Sequence, residues 1–68
     1  MKSFAEKLKS IRLEKGLKIK EVSKLLDLSE NAFGNYEKGL REPSLETLKR
    51  ICQLFDVTAD YLIGLSEY

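Results

Sequence analysis

Residues 18–39, KIKEVSKLLDLSENAFGNYEKG, contain the pattern that decides the fold, because two short amphipathic segments lie on either side of one tight turn. In the first segment Val22, Leu25 and Leu26 recur at helical spacing, so we expect them to form one apolar helix face. Ser23 lies between them and is small enough to let a second helix cross closely over the first.

The second segment begins directly after the predicted reversal at Asp27, a residue type that tolerates a left-handed backbone better than most. Leu28 is expected to fill the corner, and Ser29 to cap the next helix by accepting a backbone hydrogen bond. Phe33 and Tyr36 are three residues apart, which predicts one buried edge on that helix. The opposite edge is left for contact with a partner and contains Glu30, Asn31, Ala32, Gly34 and Asn35. The pattern therefore predicts a helix-turn-helix.

The remaining sequence predicts three further helices and no strands, which makes the chain an all-α bundle of five helices. Helix 1 is expected from Ser3 to Lys15, with Gly16 ending it. Ser44 is expected to cap helix 4, and Thr58 to cap a short last helix. The apolar stripe of helix 4, expected in the core, consists of Leu45, Leu48, Ile51, Cys52 and Phe55.

Length and composition predict one small globular domain, residues 1–68, with 43% apolar and 34% charged residues. No apolar run approaches the length that spans a membrane. One cysteine and no histidine exclude a disulfide framework and leave no metal-ligand cluster, so we expect no cofactor. The charged start, MKSFAEKLKS, predicts an amphipathic helix rather than a secretion signal, which favours a cytoplasmic protein.

The net charge of +1 conceals an asymmetry along the chain. Residues 1–24 contain eight Lys/Arg and three Asp/Glu, whereas residues 25–68 contain four and eight. A basic N-terminal portion can lie against phosphates. For Lys2, Lys7 and Lys9, however, we favour the simpler interpretation of a solvent-exposed face.

The chain resembles the Cro and phage-repressor type of DNA-binding domain, the XRE family, over roughly residues 4–64. The resemblance runs beyond the turn, and four segments resemble that family in order and spacing. They are IRLEKGL (11–17), NYEKG (35–39), LREPSLETL (40–48) and VTADYLIG (57–64). The resemblance implies a compact five-helix, lambda-repressor-like bundle that binds double-stranded DNA as a homodimer.

In this family the first turn of the second motif helix enters the major groove, which implies base contacts by Glu30, Asn31, Ala32 and Asn35. Asparagine can bridge N6 and N7 of adenine, and alanine can contact the methyl group of thymine. Glu30 suits the positive end of the helix dipole, but near phosphates it must accept from a cytosine amine to be tolerated. The alternative is that Asn31 and Asn35 are ordinary exposed polar residues.

Phosphate contacts are expected from cations around the motif and from backbone amides at the helix starts. Many family members begin the first motif helix with a Ser or Thr cap and a Gln, where this chain has Lys18 and Ile19. Lys18 cannot cap by accepting a hydrogen bond, although Glu21 can still accept from a free N–H. The expected DNA-contact set beyond the base-contacting residues is Lys18, Ile19, Lys20, Ser29, Tyr36, Lys38 and Arg41.

The Arg12–Glu37 pair and Gly34 each have a structural interpretation as well as a functional one. Arg12 and Glu37 match family positions that form an internal ion pair, which we favour over direct DNA contact by Arg12. Gly34 is unfavourable in the middle of a helix. Close approach of the backbone, either to the preceding helix or to DNA, would explain it.

The resemblance places self-association at the C-terminal end of the domain, where several apolar residues have no obvious place in the core. These residues are Val57, Tyr61, Leu65 and Tyr68. The alternative is that Tyr61 and Leu65 only close the open end of the bundle.

The function we predict is sequence-specific DNA binding in transcriptional regulation, as a prophage or mobile-element type repressor of a palindromic operator. A protein-interaction module, such as an antitoxin-like protein or an anti-repressor target, is the alternative, because the second motif helix has no Lys or Arg before Lys38. An enzyme is disfavoured, since no nucleophile–base pair or glycine-rich phosphate loop is present. No small-molecule ligand is evident.

Overall fold

The computed structural model describes residues 2–65, and in that range the chain forms five α-helices and no strand. The helices are α1 (Lys2–Glu14), α2 (Ile19–Leu25), α3 (Glu30–Glu37), α4 (Leu45–Phe55) and α5 (Ala59–Ile63). This confirms the all-α, five-helix fold, with α1 beginning and ending one residue earlier than expected.

Three of the helices begin at a hydroxyl cap. The side chains of Ser29, Ser44 and Thr58 each accept a hydrogen bond from the backbone N–H three residues on, at 3.0, 3.2 and 3.1 Å. The start of α2 differs, because the Lys18 side chain cannot accept; instead the Glu21 carboxylate accepts from the Lys18 backbone N–H at 2.9 Å. One of the otherwise unpaired amides at that terminus is therefore satisfied.

The turn between α2 and α3 is fixed by its backbone. Asp27 is left-handed, with φ of +57°. The N–H of Leu28 then donates to the carbonyl of Ser23 at 2.8 Å, which closes the turn. A short reversal of this kind keeps α2 and α3 in contact and sets their relative orientation.

One apolar core joins all five helices. Its buried members are Phe4, Leu8, Ile11, Val22, Leu26, Phe33, Tyr36, Ile51, Phe55 and Leu62. Cys52 packs against this core at partial burial, and that burial raises the pKa of its thiol. A core of this composition is what a domain this small requires to fold without cross-links.

Two leucines assigned to apolar stripes are exposed instead. Leu25 is 62% exposed and Leu45 is 86% exposed. Leu25 is the last residue of α2 and neighbours the buried Leu26, so a helix this short turns only one of the two inward. Leu45 is the first residue of α4 and lies beyond the edge of the core, which begins one turn later at Leu48.

Lys7 is a contact between helices and not merely part of a solvated face. Its ammonium group donates to the backbone carbonyl of Tyr61 at 3.0 Å and lies 4.8 Å from the centre of the Tyr61 ring. This cation–π geometry joins α1 to α5. The interpretation of Lys7 as simply exposed was therefore wrong.

Ser23 has the one buried side-chain oxygen without a hydrogen-bond partner among the described residues. We expect Ser23→Ala to raise the free energy of unfolding by about 1 kcal/mol, because an unsatisfied hydroxyl no longer has to be buried. Urea unfolding measures this, with Ser10→Ala on the exposed side of α1 as the control for helix propensity. A gain no larger than that of the control, or a loss, would show that the hydroxyl is satisfied.

Candidate nucleic-acid interface

Helix α3 is held by one apolar edge. The rings of Phe33 and Tyr36 are buried in the core and meet edge to face, with centroids 6.3 Å apart and planes at 68°. The opposite side of α3 reaches the surface. Glu30 and Asn31 are exposed there, whereas Ala32, Gly34 and Asn35 are half-buried.

The Arg12–Glu37 pair holds the end of α3 against α1. Arg12 donates from Nε to Oε2 of Glu37 at 2.6 Å and from Nη2 to Oε1 at 3.0 Å. Its Nη1 donates to the backbone carbonyl of Leu17 at 2.8 Å. The side chains are only 9% and 5% exposed. All three nitrogen atoms of the guanidinium therefore bond within the protein, and the structural interpretation is favoured over DNA contact by Arg12.

The same pair sets the electrostatics of this end of α3. Hydrogen bonding to Glu37 raises the pKa of the Arg12 guanidinium above its ordinary value, with a further contribution from the charge of Glu37 and opposition from burial. An arginine guanidinium is charged in proteins, so its close pairing with Glu37 leaves no uncompensated negative charge from Glu37 beside the candidate interface.

The start of α2 brings cations and an aliphatic side chain to the same surface. Lys18 and Lys20, both in the expected DNA-contact set, are exposed. Ile19 is half-buried and packs against the core, so its side chain contributes mainly to packing. Only the accessible part of the Ile19 side chain is left for the DNA contact expected of this residue from the sequence.

The segment after α3 is tied back to the helix. The backbone carbonyl of Asn35 accepts from the N–H of Leu40 at 3.0 Å and from that of Arg41 at 3.3 Å. These bonds hold the backbone of Leu40 and Arg41 against α3, and the side chains of Lys38 and Arg41 are both exposed. Tyr36 is only 5% exposed, so most of its side chain belongs to the core and little can meet a phosphate.

Ser29 combines a structural contact with a possible external one. Its hydroxyl oxygen accepts from the N–H of Ala32, and a hydroxyl that accepts one bond still has a proton to donate. The side chain is exposed at the start of α3, where the backbone N–H groups also point outward.

A shallow concavity of about 180 Å³ joins three of these elements. Its lining comes from α1, the start of α2 and the flank of α3, and consists of Lys9, Arg12, Ile19, Gly34, Glu37 and Lys38. The structure thus brings Ile19 and Lys38, which are far apart in sequence, to one place.

Two of the residues expected at a dimer seam line a second groove, separate from this concavity. Val57 and Tyr61 are half-buried and line a groove of about 400 Å³ whose wall includes Ile11 and Phe55. Leu65 is 75% exposed. Tyr68 lies outside the described residues. Asp56, the residue that ends α4, has a left-handed backbone with φ of +55°.

Within residues 2–65 no helix is both long and apolar enough to cross a membrane. The same range contains no group of three or more residues that could hold a metal ion.

The fold and the surface of α3 together define a small helical domain of the helix-turn-helix class. A family model described as helix-turn-helix matches residues 8–62, and the chain belongs to that family. This confirms the resemblance to the XRE type drawn from the sequence.

Similar proteins include several bacterial regulators. The chain is 35% identical to the HTH-type transcriptional regulator ImmR of Bacillus subtilis over 65 residues, covering 96% of this chain and 51% of that protein. It is 36% identical to AnsR of the same organism, over 87% of this chain and 51% of that protein. It is 31% identical to the cryptic phage CTXphi transcriptional repressor RstR of Vibrio cholerae, over 94% and 58%. The chain spans about half the length of the curated relatives it matches.

Two features of this site carry no signal in the sequence. The bond from Arg12 to the carbonyl of Leu17 involves a backbone group, which side-chain patterns do not reveal. The concavity at Gly34 forms only when α1, α2 and α3 meet. Both features are visible only in the assembled fold.

Removing either member of the Arg12–Glu37 pair should destabilise the free protein, since the other charge is left buried. We expect Arg12→Ala and Glu37→Ala each to cost about 3 kcal/mol of unfolding free energy, and the double variant to cost clearly less than the sum. Thermal and urea unfolding without DNA measure this. The control is the exposed Glu46–Arg50 pair, 3.5 Å apart, for which coupling should be below about 0.5 kcal/mol. Additive losses at Arg12 and Glu37 would contradict the pairing.

Proposed function

We propose that this chain is the sequence-specific DNA-binding domain of a transcriptional regulator, with α3 placed in the major groove. The observation that carries the proposal is the fixed presentation of α3. Its inner edge is buried through Phe33 and Tyr36, its end is held by Arg12, and its polar edge stays open. A short helix held in this way presents the same side chains in the same orientation at every DNA site that it binds.

Base recognition is assigned to the open edge of α3. Asn31 is exposed and can form two hydrogen bonds with adenine, and Asn35, one turn on, can do the same at a neighbouring base pair. Ala32 can contact a thymine methyl group. Glu30, which is exposed, can accept from the N4 amine of cytosine.

Phosphate contacts are assigned to groups on both sides of that edge. Lys18 and Lys20 lie at the start of α2, and Lys38 and Arg41 lie after α3, all four exposed. These contacts set affinity and register without selecting sequence. The hydroxyl of Ser29 and the backbone amides at the start of α3 add neutral donors to phosphate oxygens.

The regulator is proposed to be a repressor of prophage or mobile-element type, acting in the cytoplasm as a dimer on a palindromic operator. A single α3 covers only a few base pairs, and two half-sites one helical turn apart double the contacts. The relative RstR is described as a phage repressor, which supports this assignment. Occupation of an operator that overlaps a promoter represses transcription, and no catalytic step is involved.

The experiment that tests DNA binding begins with selection of sites from random duplexes by the unmodified protein. We expect a two-fold symmetric sequence and an affinity that falls steeply with salt, with a logarithmic slope of about −0.9 for each phosphate neutralised. Asn31→Ala or Asn35→Ala should cost about 1 to 3 kcal/mol on that site and relax its sequence preference. Lys38→Ala and Arg41→Ala should weaken binding to all duplexes alike and reduce the salt slope.

The result decides between the proposal and a protein-interaction module. If no duplex is selected, or if binding does not depend on salt, the exposed edge of α3 serves a protein partner instead. If the asparagine and cation variants behave in the same way, α3 does not lie in the groove as proposed.

The dimer seam is tested separately at the end of α5. We expect Leu65→Ser to lower cooperative binding to a full operator about tenfold while leaving half-site affinity intact, because it changes one exposed apolar side chain. Tyr61→Ala with Leu65→Ser should remove the cooperativity. The control is Leu13→Ser, which changes an exposed leucine on α1. Sedimentation and full-site against half-site titrations measure the effect, and unchanged cooperativity would place the interface elsewhere.

A further inference from the structure

Gly34 is the fifth residue of the eight-residue helix α3. Glycine is among the least favourable residues in a helix interior, because it loses the most backbone freedom on folding. A glycine at this place therefore calls for a physical reason.

The part of the chain that the structure describes supplies no such reason. Three other glycines have positive φ and are needed for their backbone conformation, but Gly34 is an ordinary helical residue. A Cβ atom built at Gly34 meets no atom within 4 Å outside its chain neighbours and the backbone of its own helix. Close packing of α3 on α2, one of the two explanations that the sequence left open, is thereby excluded.

The space above Gly34 is the 180 Å³ concavity between α1, α2 and α3. Its charges are unequal, because the carboxylate of Glu37 is neutralised by Arg12, whereas Lys9 and Lys38 are exposed cations at the rim. Ile19 adds an aliphatic wall. The concavity therefore combines apolar surface with positive charge. Such a surface suits a chemical group that has both C–H surface and negatively charged oxygen atoms.

We propose that Gly34 is the point at which the sugar–phosphate backbone of duplex DNA comes closest to α3. A side chain at residue 34 would occupy the concavity that receives one phosphate and its sugar. This inference rests on the proposed function, since it requires α3 to lie in the major groove.

The backbone of the DNA fits this place better than a base edge does. Gly34 adjoins Glu37 along the flank that faces α1, as the lining of the concavity by Lys9 and Arg12 shows. The exposed Asn31 and the half-buried Asn35, one turn on, do not line the concavity, and their side of α3 would face the floor of the groove. A helix in the major groove has phosphates along its flanks and bases beneath its outer edge.

The test compares Gly34→Ala and Gly34→Leu with the unmodified protein on its selected duplex, by fluorescence anisotropy between 50 and 200 mM salt. We expect Gly34→Ala to raise the melting temperature of the free protein by about 4 °C, because it improves helix propensity without a clash. Its affinity for every duplex should nevertheless fall about tenfold, with a salt slope smaller by about 0.9. Gly34→Leu should bind more weakly still.

The control is Gln53→Ala, which improves helix propensity on the exposed side of α4 and should leave affinity unchanged. Affinity of Gly34→Ala equal to that of the unmodified protein would overturn the inference, as would a lower melting temperature. An altered sequence preference with an unchanged salt slope would overturn it in favour of a base contact. Failure of the unmodified protein to bind any duplex would instead refute the proposed function, so the two failures are distinguishable.

Discussion

The buried ion pair between Arg12 and Glu37 constrains the orientation of α3, and the proposed presentation of α3 to DNA depends on that orientation. A helix of eight residues is too short to be stable in isolation, so its existence and direction come from tertiary contacts. The rings of Phe33 and Tyr36 bind one edge of α3 to the core, but apolar contacts are non-directional. The two hydrogen bonds from Arg12 to Glu37 are directional, so they also fix the orientation of α3 relative to α1.

This arrangement also explains why an ion pair is acceptable at a buried site. Burying two charges costs desolvation energy, and an apolar pair of similar volume often stabilises a fold as well. An apolar pair would not orient α3 to the same degree. The third bond of Arg12, to the carbonyl of Leu17, extends the constraint to the loop before α2. One guanidinium therefore joins α1, that loop and α3.

Much of the fold was predictable because it depends on interactions between residues close together in sequence. Features that depend on contacts between distant residues were not predictable in this way. The caps at Ser29, Ser44 and Thr58 and the reversal at Asp27 depend on neighbouring residues, and all four were expected. Periodicity cannot tell where a core ends, so it wrongly placed Leu25 and Leu45 inside. The contact of Lys7 with Tyr61 joins residues 54 apart in sequence and leaves no trace in any local pattern. The pairing of Arg12 with Glu37 came from family resemblance and not from spacing.

The start of α2 shows how a weak local feature can agree with the proposed function. Lys18 places a positive charge at the positive end of a helix dipole and provides no side-chain cap, so this terminus is less favourable than those of α3, α4 and α5. Glu21 offsets part of the cost by accepting from the Lys18 N–H. A serine cap would stabilise the free domain better but would carry no charge. Together with Lys20, Lys18 instead adds exposed positive charge beside α3, which is the charge that side chains proposed to contact phosphates require.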